Sequence, residues 1–270
     1  MRRRLRTTLP PLAVLVAIFA LWEAYVQVSG VSPILLPAPH EIVPELWRNA
    51  DLLWSNFKVT AEIVALGLAI ALLVGFVLAL AIHLSPPVRR GVYPLVVGSQ
   101  AIPIPVIGVL LVFWLGFGLT PKLAVIVLIC FFPVVVTTVD GLASVDVEQL
   151  KLLRTFDASR WQLFRFAELP AALPAALSGT RIAVAVGVIA AFIAEISTAG
   201  TSAGLGYEII TDLRNIQQPR AYAAAIVLFA FAIACFGVLG LLERRLTHQP
   251  ARPVLAFTYR QRQLPTGDNS

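Results

Sequence analysis

The chain has 270 residues, of which 58% are hydrophobic and 13% are charged. Its mean hydropathy of +0.83 is too high for a soluble domain, which needs a polar surface. The composition therefore predicts one all-α domain that crosses a membrane several times. The net charge of +6 would also suit a nucleic-acid-binding protein, so the positions of the cations must decide between the two classes.

The first apolar run is Leu9–Val28, preceded by four arginines. Basic residues before an apolar run are also typical of a cleaved signal peptide. The run continues through Trp22 and Glu23 without a small-residue cleavage site at the expected place. About 20 apolar residues are enough to cross the hydrocarbon core. We therefore expect an uncleaved first transmembrane helix over residues 9–28, behind a cytoplasmic tail of residues 1–8.

Residues 29–56 are predicted to form an extracytoplasmic segment. Prolines are frequent between Pro33 and Pro44, and a short amphipathic helix is predicted from Glu41 to Leu53. Apolar runs then predict five more transmembrane helices, giving six in all: Lys58–His83, Val92–Phe117, Lys122–Val139, Ala171–Ile196 and Ala221–Leu242.

Two of these spans have distinctive compositions. The third contains Pro94, Pro103 and Pro105, and proline frees backbone carbonyls that need other partners. We expect this span to be kinked and packed inside the bundle. The fifth is rich in Gly, Ala and Ser, which lets helix backbones approach closely.

The cations define the orientation. Most of the 21 Lys and Arg residues lie in the N-terminal tail, the Pro86–Arg90 turn, the loop of residues 143–174 and the C-terminal tail. The positive-inside rule places all four in the cytoplasm. This distribution accounts for the basic charge without a nucleic-acid partner. Residues 247–270 are predicted to be a disordered cytoplasmic tail. The three histidines are scattered, so we predict no metal site.

The loop of residues 143–174 is long and amphipathic. Residues 147–155 are predicted to form one short helix, and Asp157 is the predicted N-cap of a second helix, Ala158–Phe166. Leu169-Pro170 is predicted to end the pair, because proline disfavours a helical residue before it. The pair could lie on the lipid surface, with its basic residues facing headgroups. Two short helices at an angle also suit docking into a cytoplasmic partner, and this is the interpretation we prefer.

The loop also carries a specific resemblance. The segment Thr155–Arg181, with Ala158-Ser159, Leu169-Pro170 and Pro174, resembles the EAA loop of permease subunits from type I ABC importers. It looks most like the branch for nitrate, sulfonates, taurine and the pyrimidine precursor of thiamine. The usual loop glycine is Asp157 here, and the usual Glu-Ala-Ala is Lys151-Leu-Leu153.

Other segments resemble the same family in the same order. Ile102–Pro105 together with Phe113–Gly118 resembles the family's third span. Leu36–Pro39 resembles its extracytoplasmic Leu-Pro-Ser-Pro. Ala194-Glu195 together with Gly204–Tyr207 resembles its segment after the fifth span. The resemblance implies a type-1 permease domain over residues 57–246 in a bacterial inner membrane.

The family implies a mechanism that needs other subunits. It implies two copies of this chain, two ATP-binding cassette subunits and an extracytoplasmic solute-binding protein. The chain lacks a GxxxxGK[ST] phosphate loop, so ATP and Mg²⁺ are expected on the partner subunit and no cofactor on this chain. The chain itself is then not an enzyme. Residues expected to couple to the ATPase are Leu153, Arg154, Asp157, Ala158, Ser159, Trp161, Leu169, Pro170 and Pro174.

The translocation path is expected between the two copies. Ser99 and Gln100 lie before the Pro103 break, and Glu195 lies near the outer end of the fifth span. An ionisable residue at membrane depth is a functional candidate. Glu195 could be a gate or substrate group, or it could be satisfied by neighbouring polar groups in a structural role.

A stand-alone ion-coupled secondary transporter is the main alternative function. That class is expected to show internal inverted repeats and carboxylates near the membrane midplane. The two halves of this chain show no convincing repeat, and its acidic residues lie near span ends. An intramembrane enzyme is disfavoured because no Ser/His pair or acidic cluster lies at one depth. The sequence does not distinguish among nitrate, a sulfonate or a pyrimidine as substrate.

Overall fold

The computed structural model describes residues 2–198 and 203–246, with side chains over 13–198 and 203–241. All regular structure in these ranges is helical, which confirms the predicted all-α class. The helices are α1 Arg2–Ser29, α2 Pro39–Arg48, α3 Ala50–Leu84, α4 Pro86–Gly98, α5 Ile104–Leu115, α6 Leu119–Ala143, α7 Val147–Thr155, α8 Arg160–Leu163, α9 Leu169–Ser197, α10 Leu205–Arg214 and α11 Gln218–Leu246.

Four stretches of helix are long and apolar enough to cross a membrane. They are α3, α6, the continuous helix Arg160–Ser197, and α11 over Gln218–Leu241. The bent pair α4–α5 is a fifth candidate, while the described apolar part of α1, Ala13–Ser29, is shorter. The multispanning arrangement is therefore supported, and the count of six stays a prediction.

The predicted span Val92–Phe117 is not one continuous helix, because the chain turns by 106° between α4 and α5. A 3₁₀ turn, Ser99–Ala101, separates the two helices. Ile102 is extended, as expected for a residue before proline. The span is also not enclosed within the chain, since Phe113 and Trp114 are 80% and 73% exposed. The prolines break the span rather than kink it.

Several predicted boundaries also move. The helix predicted over Glu41–Leu53 ends at Arg48, because the backbone leaves helical geometry at Asn49. α3 begins at Ala50, well before the predicted Lys58. α1 begins at Arg2, so it includes residues predicted as the N-terminal tail. The predicted tail of residues 247–270 lies outside the described residues.

The core is formed where α3, α6 and α9 pack together. Its fully buried residues include Ala71, Cys130, Ala183 and Ala190. The small residues of α9 allow the close approach expected from the sequence. At Gly179, an added Cβ would lie 2.9 Å from the Pro133 carbonyl oxygen of α6 and would collide with Thr137. This contact therefore requires glycine.

The ends of the bundle differ. α6 and α9 are joined at one end by the segment Val147–Leu163, which we call the α7–α8 protrusion. The C-terminal end of α3 lies at this end too, since His83 contacts Glu168. The opposite end is formed by α10 and the first turn of α11, with the N-terminal turns of α3 and α6.

We predict that Gly179→Val destabilises the fold by about 1–3 kcal/mol, the range for an overpacked core. Thermal unfolding in detergent measures the change. The matched control is Gly237→Val on α11, where an added Cβ meets nothing within 4 Å. Equal unfolding temperatures for the two variants would contradict the close packing of α6 on α9.

Candidate functional site

The first helix of the protrusion is confirmed over the predicted residues. α7 spans Val147–Thr155, and the Asp146 side chain caps it by accepting a hydrogen bond of 2.9 Å from the Glu148 backbone N–H. Asp is a favoured N-cap because it satisfies a free N–H of the first turn. Leu150 and Leu153 are half-buried, and Lys151, Leu152 and Arg154 are exposed. α7 therefore presents a largely exposed face away from the bundle.

Asp157 ends α7 rather than capping the next helix. Its φ is +56°, in the left-handed region. The Ala158 N–H donates to the Leu153 carbonyl oxygen at 3.2 Å, and the Asp157 N–H donates to that of Arg154 at 3.0 Å. This is the Schellman pattern, in which glycine usually occupies the left-handed position. The predicted N-cap role of Asp157 is therefore wrong. The left-handed geometry explains why the related loops have glycine at this position.

Ser159 is the N-cap of the second helix. Its Oγ accepts from the Gln162 backbone N–H at 3.3 Å, and the Gln162 Oε1 accepts from the Ser159 N–H at 2.7 Å. This reciprocal pair is a capping box. The helix therefore starts at Arg160, two residues after the predicted start. The C-terminal end of α7 and the N-terminal end of α8 are both capped, so the connection between the two helices is short and well defined.

Leu169-Pro170 does not end the second helix. α8 continues through a π turn, Phe164–Glu168, directly into α9. The Leu169 N–H donates to the Phe164 carbonyl oxygen five residues earlier. Pro170 has no N–H to donate, and the wider π turn lets the helix pass it without a break. The prediction that proline separates the protrusion from the fifth span is wrong.

Most of the residues predicted to couple to an ATPase are exposed. Arg154, Asp157, Ser159 and Trp161 are exposed, and Leu153 and Ala158 are half-buried beside them. Trp161 is 63% exposed and stacks on Phe164 with ring centroids 5.4 Å apart. Leu169, Pro170 and Pro174 lie on the exposed face of α9.

The apolar residues of the second helix and its π turn divide into two sets. Leu163 and Phe164 are buried and hold the protrusion to the bundle, with Phe164 packed beside Leu142 and Ala172. Trp161 and Phe166 remain exposed. Spacing alone did not separate these sets, because they depend on how α9 packs on α6.

We predict that Asp157→Gly raises the free energy of unfolding by about 1 kcal/mol, because glycine has no Cβ penalty at positive φ. Chemical or thermal unfolding measures the gain. Ile216→Gly is the matched variant, since Ile216 is exposed, has φ +59° and is β-branched. It is expected to stabilise the fold more than Asp157→Gly. Destabilisation by both changes would contradict the left-handed geometry.

Two predicted path residues lie at the break between α4 and α5. Ser99 Oγ donates to the Val96 carbonyl oxygen at 2.7 Å, and Gln100 Nε2 donates to Ser99 Oγ at 3.3 Å. Gln100 is exposed and Ser99 is half-buried. Their position at a bend of exposed apolar helices is compatible with a path between two copies, which stays a prediction.

Glu195 lies apart from the exposed bend, in a buried polar cluster, and only 1% of it is exposed. Its carboxylate accepts from Thr60 Oγ1 at 2.7 Å and from the Gly206 N–H at 2.5 Å, and it is attracted by the charge of Lys122. An added Cβ at Gly206 would lie 2.8 Å from Glu195 Oε2. Glu195 therefore caps the start of α10. This arrangement favours the structural alternative, and a path role for Glu195 stays a prediction.

Sequence reasoning missed the other polar residues of this cluster. The Asn56 side chain accepts from the Gly204 N–H at 2.8 Å and donates to Glu208 at 3.2 Å. Lys122, only 3% exposed, donates to the Ala203 carbonyl oxygen at 3.1 Å. The available signal was polar residues spaced one turn apart, Asn56 and Thr60, at the start of an apolar helix. It gave no indication of the distant residues that complete the cluster.

An ion-paired group extends this cluster along α10. Arg220 Nε donates to Asp212 Oδ1 at 2.8 Å, and Arg220 Nη2 lies 3.6 Å from Glu208 Oε1. Burial, followed by the negative charge of Asp212, raises the pKa of Glu208 above its usual value, while Arg220 and Asn56 oppose the shift. These bonds fasten α10 to both α3 and α11.

We predict that Glu195→Ala destabilises the fold by about 1–3 kcal/mol, because it leaves the buried Thr60 hydroxyl and the Gly206 N–H without their acceptor. Glu62→Ala is the control, since Glu62 is an exposed carboxylate on α3. Thermal unfolding compares the two. A smaller loss for Glu195→Ala than for Glu62→Ala would show that Glu195 does not hold α10.

Comparison with known families gives a match over most of the chain. The model of the binding-protein-dependent transport system inner membrane component family matches residues 67–248. A probable ABC transporter permease protein of Haemophilus influenzae is 35% identical over 237 residues, covering 87% of this chain and 96% of that protein. The formylaminopyrimidine transport permease protein ThiX of Halalkalibacterium halodurans is 34% identical over 242 residues, covering 89% of this chain and 96% of that protein.

A solved structure shares the fold. The crystal structure of an amino acid ABC transporter with histidines superposes with a TM-score of 0.60 at 19% sequence identity. The match covers 74% of this chain and 96% of that chain. At this identity the similarity establishes the architecture of the helices and not the transported solute.

Proposed function

Because the chain belongs to the binding-protein-dependent transport system inner membrane component family, we propose that it is the permease subunit of an ATP-driven importer of a small solute. The subunit would span the inner membrane with the α7–α8 protrusion in the cytoplasm, the side given by the positive-inside rule. Both termini would lie on that side as well. The subunit would provide the path and no chemical catalysis.

The observation that carries the proposal is the mechanical form of the protrusion. Two capped helices expose Trp161 and the Arg154–Ser159 turn, and the second runs without interruption into α9. A force on this surface therefore acts on a spanning helix through a continuous helical backbone. Such rigid-body transmission is a common way to couple one subunit's closure to another's motion.

A separate ATP-binding cassette subunit would supply the energy. ATP would favour the closed form of that subunit, and the docked protrusion would transmit the closure to the spans. ATP and Mg²⁺ would bind to the partner. The chain's sequence has no GxxxxGK[ST] loop that could hold a triphosphate itself.

A second copy of the chain would complete the path. The exposed apolar side chains of α5, among them Val106, Phe113 and Trp114, form a face that α6 and α9 leave uncovered. Contact between two such faces would place the bend at Ser99 and Gln100 near the junction. The stand-alone secondary transporter is the competing function, and it would need neither the second copy nor the ATPase.

An extracytoplasmic binding protein would select the solute. The relative named for formylaminopyrimidine transport supports a pyrimidine, and the loop resemblance extends the candidates to taurine, other sulfonates and nitrate. These solutes are small, and the predicted path residues Ser99 and Gln100 are neutral. We propose the class of small polar solutes.

We predict that Trp161→Asp and Ala158→Asp each reduce recovery of the ATP-binding subunit at least about tenfold, because a buried, unpaired charge costs more than 1.4 kcal/mol. Affinity purification from membranes measures recovery. The control is Val147→Asp, an exposed change at the start of α7. Full recovery with both docking variants, each inserted normally, would favour a protrusion that lies on lipid.

Reconstitution in vesicles distinguishes the two functions. The chain alone is expected to show no ATP hydrolysis and no uptake of formylaminopyrimidine or taurine. With the ATP-binding subunit and the binding protein, ATP is expected to drive uptake of one of these probes. Uptake by the isolated chain along an ion gradient would contradict the importer and support the secondary transporter.

A further inference from the structure

A histidine–glutamate pair joins α3 to the π turn that connects the α7–α8 protrusion with α9. His83, on the last turn of α3, lies with Nε2 2.8 Å from Glu168 Oε2, at the end of the π turn. A carboxylate only accepts, so the ring N–H donates. The two side chains are 14% and 19% exposed. The pair is therefore largely shielded from solvent. Its members are 85 residues apart in sequence, so the contact joins two distant parts of the chain.

A second hydrogen bond and an apolar contact lie beside the pair. Arg160 Nη2 donates to the Leu84 carbonyl oxygen, the last of α3, at 3.4 Å. Leu80, one turn before His83, packs on the cluster of Leu142, Phe164 and Ala172. The end of α3 thus contacts the start of the second helix, its π turn and the first turns of α9.

These contacts have a consequence for motion. The protrusion can transmit force to α9 through the helix backbone, whereas the contacts between α3 and the protrusion in the described part of the chain are made by side chains. Without them, the protrusion and α9 could shift while the end of α3 stayed in place. A π turn is also a frequent site of local adjustment in functional helices.

We propose that His83 and Glu168 are positioning residues that make α3 move with the α7–α8 protrusion. The proposal rests on the proposed function, since it assigns how the ATPase's motion reaches a second spanning helix. The pair holds Glu168, and with it the π turn, against α3. Each closure of the ATP-binding subunits then moves α3 and α9 as one body.

The test measures basal ATP hydrolysis by the assembled complex in vesicles, with ATP as the only added probe and no binding protein. His83→Leu and Glu168→Leu each remove the histidine–carboxylate hydrogen bond and keep a side chain of similar size. Closure of the ATP-binding subunits no longer has to displace α3, so kcat is expected to rise by roughly two- to tenfold, the range for losing one net hydrogen bond. The KM for ATP is expected to stay unchanged, because nucleotide binds to the partner.

A swap and a matched control separate transmission from stability. His83→Glu combined with Glu168→His restores the pair in reverse and is expected to return kcat to the unaltered value. His40→Leu is the control, because His40 Nδ1 pairs with Glu23 Oε1 at 2.7 Å, between α2 and α1 and apart from the protrusion. It is expected to leave kcat and KM unchanged.

The outcomes that overturn the proposal are distinct from failure of the proposed function. Unchanged kcat in both single variants, or a rise that the swap does not reverse, overturns it. Loss of the ATP-binding subunit from both single variants overturns it too, because the pair would then serve assembly. If the unaltered chain retains no ATP-binding subunit, the proposed function itself has failed.

Discussion

The unbroken helix from Arg160 to Ser197 is the constraint on which the rest of the structure depends. It makes the α7–α8 protrusion an extension of a core helix instead of a loop tethered to one. Two prolines near its start would ordinarily interrupt such a helix, and the π turn at Phe164–Glu168 accommodates Pro170. Small residues along α9 then bring it close to α6, with Gly179 against the Pro133 carbonyl. A force at the protrusion therefore enters the most tightly packed part of the bundle.

Polar contacts hold this helix at both of its ends. At the far end the Glu195 carboxylate caps α10 and bonds Thr60 of α3, so that α3, α9 and α10 form one unit. At the near end Glu168 bonds His83 of the same α3. α3 and α9 are thus joined at two points along their length with apolar packing between them. Such a pair suits rigid-body movement better than independent bending, because each joint restricts rotation of one helix against the other.

The sequence allowed the class, the positions of most spans and the existence of the protrusion to be predicted, because hydropathy and the loop motif are local signals. α7 was predicted within its observed bounds for the same reason. The errors arose where proline and tertiary contacts compete. At Pro103 the helix is interrupted, although the span was expected only to bend there. At Pro170 the helix continues, although the second helix of the protrusion was expected to end there. Asp157 was assigned as an N-cap from its residue type, but its φ of +56° follows from the Schellman pattern, and Ser159 provides the cap. Thr60, which bonds Glu195, and Glu168, which bonds His83, lie far from those residues in sequence, and no local pattern indicated either pairing.

Photocrosslinking from the tip of the protrusion tests its docking role most directly. Phe156 is 76% exposed, and replacing it with benzoylphenylalanine changes little of its shape. In intact membranes containing the full set of subunits, irradiation is expected to join this position to the ATP-binding subunit. The same replacement at Phe113, on the exposed face of α5, is expected to give no such product. Adducts from Phe156 that contain phospholipid alone would contradict a protrusion that receives force from another polypeptide.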